Sequence, residues 1–166
     1  MTLFARYSSS TALAICLGTS AAYADVTAAN VWNNWRDYMS DMGYEVTGTE
    51  SQSGDTLTVS DVRMEIDMST DEDAMNAAMT MDSLTFTEVG DGSVSIQIPA
   101  TSVITLDGKP EDGKPFDLTI DYVQDGLDMV VTGDPDDLTY TYSADSLVMK
   151  LAKLTVDGKP VGAGFG

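Results

Sequence analysis

Asp71, Asp73 and Asp82 fall at positions 1, 3 and 12 of a possible calcium loop. Carboxylates at that spacing can supply hard oxygen ligands to calcium. Position 6 is Asn76 where a sharp turn wants glycine, and position 12 is aspartate where a bidentate glutamate is usual. Asp134, Asp136 and Asp137 make a second oxygen-rich turn. Paired carboxylates could also serve glycoside hydrolysis, but that chemistry needs two carboxyls at a set separation, and spacing along the chain locates no such pair.

Other chemistries are excluded by composition. The chain has no histidine, which removes Ser-His-Asp and Cys-His catalysis and His-ligated zinc. Its one cysteine, Cys16, lies in a segment expected to be removed. No phosphate-cradling glycine loop, no G-x-S-x-G and no C-x-x-C occurs. The reading is therefore non-enzymatic, with no catalytic, cofactor-binding or metal-ligating residue assigned and no cofactor expected. The formal charge of −19 repels phosphate backbones and anionic bilayers, so nucleic-acid binding is not expected.

Residues 1–24 have the parts of a secretory signal. Arg6 and the amino terminus form the positive region, Thr11 to Ala22 the short apolar stretch, and Ala22-Tyr23-Ala24 the small–x–small site. The apolar stretch falls short of the ~20 residues a membrane span needs, so no transmembrane segment is predicted. Ile15 stands before Cys16 where lipidation wants a small residue. Cleavage between Ala24 and Asp25 and a periplasmic or secreted location are predicted. The loss of Arg6 leaves seven basic side chains against 27 acids, a formal charge of −20.

The elements follow from periodicity. Thr27 can cap a helix starting at Ala28, and Val31, Trp32, Trp35, Met39 and Met42 recur on one helical face before Gly43 stops it. That stripe is expected to dock onto a sheet. From Tyr44 the period becomes two. Val62, Met64, Ile66 and Met68 alternate with polar residues, as do Val94, Ile96 and Ile98, then Phe116, Leu118, Ile120 and Tyr122, then Leu138, Tyr140 and Tyr142. This predicts half-buried antiparallel strands. Gly90-Asp91-Gly92, Asp107-Gly108, Asp112-Gly113, Asp125-Gly126 and Asp157-Gly158 mark tight turns. Residues 69–79 read either as a short helix or as an acidic loop. "LDGKPEDGKPF" reads as an exposed tip.

One short pattern keeps returning: SDVRM at 60–64, DSLTF at 82–86, DGLDM at 125–129 and DSLVM at 145–149. The apolar phase slips by one residue at Ser60-Asp61 and at Asp82-Ser83, and again between Tyr142 and Leu147. A one-residue slip would send every later apolar side chain to the wet face. The chain must therefore bulge or turn there, and aspartate and serine suit such sites. Val62, Leu84, Leu127 and Leu147 stand 22, 43 and 20 residues apart, with Leu106 near the middle of the long gap, which reads as a quasi-repeat of about 21 residues.

The predicted fold is thus mainly β: one antiparallel, curved β-meander with a single N-terminal helix packed on it, after a signal peptide. Residues 25–166 make one domain. The strand ending at "KLTVDGKPV" has no partner after it, which fits an edge that pairs with another chain, a flexible tail, or pairing with sequence beyond the end, and we read the chain as the N-terminal part of a longer protein.

Three stretches carry a family resemblance. "VWNNWRDYMSDMGYEVTGTESQSGDTLTVSDV", "LTFTEVGDGSVSIQIP" and "GLDMVVTGDPDDLTYTYSADSLVM" resemble the opening part of a secreted alphaproteobacterial family catalogued as domain of unknown function 2125. The W-x-x-W helix, the G-Y-E-V-x-G strand and the G-D-P-x-x-L-x-Y turn carry the likeness, which spans nearly all of residues 25–166. The resemblance implies a cell-envelope protein and no particular reaction.

The function expected is a periplasmic binding or scaffold module of the envelope. Its partner is an unidentified protein or an apolar, lipid-like ligand. Met64, Met68, Met79, Met81, Met129 and Met149 on strand faces would suit such a ligand, because methionine adapts to varied apolar shapes. The alternative is an acidic, calcium-supported extracellular module.

Overall fold

The structure, a computed structural model, describes residues 25–111 and 113–162. The expected signal segment, residues 1–24, and its small–x–small site lie outside the described residues.

Helix α1 (Ala28–Asp41) starts where the capping signal places it. The Thr27 hydroxyl accepts from the Asn30 amide at 3.2 Å, and the Asn30 side-chain oxygen accepts from the Thr27 amide at 3.2 Å. These reciprocal bonds satisfy amides that the first turn leaves free. The Ala28 amide donates to Glu88 Oε1 at 2.9 Å, so a carboxylate from the sheet meets the positive helix end. At the other end Gly43 (φ 91) and Tyr44 donate to the Ser40 and Met39 carbonyls, at 2.9 and 3.0 Å, and end the helix.

Ten strands follow. β1 (Glu45–Ser53), β2 (Thr56–Asp67) and β3 (Ala74–Glu88) pair in sequence. β4 (Val94–Gln97), β5 (Thr101–Lys109), β6 (Phe116–Asp125), β7 (Asp128–Asp134), β8 (Asp137–Ser143), β9 (Ser146–Val156) and β10 (Lys159–Pro160) complete one antiparallel sheet. The expected fold class is found. The strand path has one feature that periodicity did not carry: a fork at β3.

One edge of β3 pairs with β2 over almost its whole length. The other edge is shared, Ala74–Thr80 with β5 and Thr85–Glu88 with β4. From this fork one prong runs β5-β6-β9-β10 and the other β4-β7-β8. Residues 69–79, read as helix or loop, are neither throughout. A tight turn closes at Thr70–Asp73, and β3 begins at Ala74. Ladder pairing with β2 overrides the helix propensity of its alanines and methionines.

Two copies of the recurring motif face each other across β2 and β3. Ser60 stands opposite Ser83 and Val62 opposite Met81, so the slips in β2 and β3 lie side by side. Both strands therefore keep register with each other. Toward β1 the pairing moves from Thr47↔Arg63 to Thr49↔Ser60, which is a bulge in β2 opposite Gly48. Asp61 occupies the left-handed region there (φ 53). A Cβ on Gly48 would sit 2.6 Å from Val59 Cγ1, so only glycine fits without a shift. The other two copies make the crossings between the prongs. DGLDM carries β6 into β7, DSLVM carries β8 into β9, and the Asp145 amide donates to the Asp125 carbonyl at 2.9 Å. Leu106 departs from the quasi-repeat. It lies in unbroken β5, opposite Ala77 and Leu118, with no bend.

Register gives the sheet one apolar face. Val46, Met64, Met79, Ile104, Ile120 and Leu151 stand directly opposite one another from β1 across to β9. Residues opposed in antiparallel strands share a face. The neighbouring row on the reverse face is Thr47, Arg63, Thr80, Val103, Asp121 and Lys150. Helix α1 packs on the apolar face over β1, β2 and β3. Val31 and Trp32 are buried under it, with Trp35 and Met39 half-buried beside them. Met42, expected on the docking stripe, caps the helix and is 54% exposed.

Candidate functional site

Trp32 and Trp35 are three residues apart but have different environments. Trp32 is buried against Phe86, with ring centroids 5.9 Å apart, and its Nε1 donates to Glu50 Oε1 at 2.7 Å. The same carboxylate oxygen takes the Arg36 guanidinium at 3.2 Å, which ties the helix to edge strand β1. Trp35 lies over the next turn and faces the gap between the helix and the forked sheet.

That gap is a groove of about 640 Å³. A volume of this size lies in the range of roughly 300–1,000 Å³ that holds one small ligand. Asn34, Trp35 and Tyr38 form its helical wall. Met64, Met79, Met81, Leu84 and Phe86 form the floor from β2 and β3. Ile96, Ile98 and Met129 come from the β4 prong. Tyr122, Leu127, Tyr140, Tyr142 and Leu147 surround the mouth, where the two crossings meet.

Every bend contributes to this site. The slips at Asp61 and Asp82 keep Val59 and Val62, and Met81 and Leu84, on one face although their sequence parity differs. The crossings place Leu127 and Leu147 at the mouth. Without the offsets half of these apolar side chains would face water.

Polar groups at the site are few. The Tyr140 hydroxyl donates to Asn34 Oδ1 at 3.0 Å, which joins α1 to β8 across the groove. Burial pushes the Tyr140 hydroxyl above its ordinary pKa of 10.0, so it remains a neutral donor through the physiological range. Next to the site, Ser102 is 1% exposed and stands opposite Tyr122, and among the described residues its hydroxyl has no hydrogen-bond partner. Among the described residues the lining carries no carboxylate, lysine or arginine. The arrangement can enclose apolar matter and offer it neutral hydrogen-bonding groups.

The groove opens onto an exposed apolar strip. Tyr142, Leu147, Met149 and Leu151 are 72%, 56%, 69% and 51% exposed. Scattered surface apolar residues are ordinary, but a contiguous strip continuous with a cavity marks a contact surface. β9 pairs with β6 over ten positions, whereas on its other edge, among the described residues, β10 pairs with Thr155 and Val156 and the Val161 amide donates to the Leu154 carbonyl at 2.9 Å.

Four of the six strand-face methionines line the groove: Met64, Met79, Met81 and Met129. Met68 stands past the end of β2 and Met149 on the outer strip. The possible calcium positions do not converge. Asp71 and Asp73 are in the β2–β3 turn, while Asp82 lies in the middle of β3, because residues 74–82 are extended. Asp73 Oδ1 accepts from the Glu111 amide at 3.0 Å. Among the described residues no three carboxylates are placed to hold a metal ion. Sequence reasoning did not assemble Tyr122, Tyr140, Leu127 and Leu147 into one site. Leu127 and Leu147 were marked by the recurring motif, but the fork that brings them together had no sequence signal.

No family model, no curated protein and no solved structure matches this chain.

Proposed function

We propose that this chain is a non-enzymatic binding module of the cell envelope, which takes an apolar ligand in the groove beneath α1. The observation that carries the reading is the groove itself: about 640 Å³, floored by Met64, Met79, Met81 and Phe86. Met64, Met81 and Phe86 are already buried, whereas Met79 and Met129 are half-buried, and covering these two with a ligand gains roughly 25 cal/mol per Å² of apolar surface. Methionine suits a ligand of variable shape.

Export is part of the proposal. It is supported by the signal-like residues 1–24 and by the start of the core just after the proposed cleavage site, where Val26 is 2% exposed. The same reading gives β9 a partner strand on its open edge, since an uncovered strand beside exposed apolar side chains invites β-addition.

Native mass spectrometry of residues 25–166, expressed with export in an envelope-bearing host, tests the reading. A co-purifying apolar small molecule, lost on Leu84→Asp or Met129→Asp, is the expected result. A bare mass together with no uptake of any added amphiphile would overturn it.

A further inference from the structure

We infer that the groove takes a single alkyl chain whose head group carries no negative charge. This rests on the binding reading above and narrows it to a ligand class. A buried or half-buried anion is offset best by a cation close by, and neutral donors alone offset its desolvation less well. The groove lining holds no cation. Its polar side chains are all neutral: the Asn34 amide, the Trp35 indole and the hydroxyls of Tyr38, Tyr122, Tyr140 and Tyr142.

The basic side chains of the described residues are all engaged or placed elsewhere. Arg36 pairs with Glu50 at 3.2 Å, lies 6.0 Å from the Trp32 ring centroid, donates to Asn33 Oδ1 at 2.8 Å and does not line the groove. Arg63 pairs with Glu65 at 2.9 Å on the reverse face, where Lys150 and Lys153 also stand. Lys109 and Lys114 belong to the β5–β6 end, with Lys114 paired to Asp157 at 3.2 Å. Lys159 shares the apolar face but stands opposite Val156, nine residues along β9 from Leu147. That is roughly 30 Å at the rise of a strand. Around all of this the chain is strongly acidic, at −19. A carboxylate or phosphate head would meet repulsion at the mouth, whereas a sugar, amide, hydroxyl or quaternary ammonium head would meet tyrosine hydroxyls and faces.

Trp35 in the groove wall provides the readout. Residues 25–166 are titrated below micellar concentrations at pH 8 with dodecyl maltoside, dodecyltrimethylammonium and dodecanoate, following tryptophan fluorescence in wild type and in Trp35→Phe. The uncharged and cationic probes are expected to bind, with affinity rising about fourfold per added methylene until the groove is full. Dodecanoate is expected to bind at least tenfold more weakly. Leu147→Lys, at an exposed mouth position, is expected to raise dodecanoate affinity about tenfold through a charge-assisted contact. Equal or tighter binding of dodecanoate to wild type would overturn the head-group inference and leave the groove reading standing. Failure of all three probes together with a co-purifying polypeptide would also overturn it, by naming a protein segment as the occupant. Failure of all three with nothing co-purifying would overturn the binding reading itself.

Discussion

The Tyr140 hydroxyl donates to Asn34 Oδ1 across 3.0 Å, joining residues 106 positions apart in the chain. Tyr140 belongs to the last strand of one prong and Asn34 to the helix, so this bond closes the groove where no strand pairing does. Tyr140→Phe is expected to lower stability by only about 0.5–1 kcal/mol, the net contribution of one hydrogen bond. It should speed ligand release more than it weakens the fold. The sign of the alkaline dependence follows from the raised pKa. The folded chain holds this proton more tightly than the unfolded chain, so the contribution is complete below pH 10 and lost as pH rises through the folded value. Urea melts at pH 8 and above pH 10, with Tyr140→Phe as reference, would show that part of the alkaline loss vanish in the variant.

The bulge at Asp61 makes an opposing pair of predictions. A non-glycine residue at φ 53 is strained, and a β-branched one more so. Asp61→Val is expected to cost about 1–3 kcal/mol. Asp61→Gly should lie within about 1 kcal/mol of wild type, because relief of strain offsets the added freedom of the unfolded chain. Gly48→Ala should cost about 1–3 kcal/mol through overpacking against Val59. Equal losses for Asp61→Val and Asp61→Gly in chemical denaturation would contradict the left-handed bulge.

The two tryptophans separate structure from binding. Trp32→Ala removes a buried ring and leaves Glu50 one donor short, with an expected cost of about 3–5 kcal/mol. Trp35→Ala takes away a half-buried groove wall and should cost clearly less. Its main effect should be weaker binding of an alkyl probe. Thermal melts and probe titrations on both variants check this division.

Ser102 yields a prediction of the opposite sign. Its hydroxyl is buried with no partner among the described residues, so it carries a desolvation cost without a compensating bond from them. Ser102→Ala should be neutral or stabilise the ligand-free chain by up to about 1 kcal/mol. A loss above that value in calorimetry would show that the hydroxyl is satisfied.

Much of this fold was legible because its signals are local. Thr27 and Gly43 bound the helix by short-range hydrogen bonds, and strict alternation in Val62-Met64-Ile66 or Phe116-Leu118-Ile120 reports one wet face. The slip at Ser60-Asp61 predicted a bulge because parity alone demanded one, and the Asp61 backbone supplies it. The fork at β3 was not legible. It depends on which strand pairs with which, and β4 and β5 have similar alternation although they share one edge of β3. The groove is a product of that fork. Its methionines could be marked from their strand faces, whereas Tyr140 with Asn34, and Leu127 with Leu147, are brought together by long-range pairing.

Methionine methyl resonances of residues 25–166 test the central claim most directly, because the groove floor and the outer surface carry different methionines. On addition of an uncharged alkyl probe, the Met64, Met79, Met81 and Met129 methyls should shift together with one saturation curve, while Met42 and Met68, which are exposed away from the groove, stay fixed. Shifts confined to the exposed Met149, or spread equally over all of them, would contradict a ligand site beneath the helix.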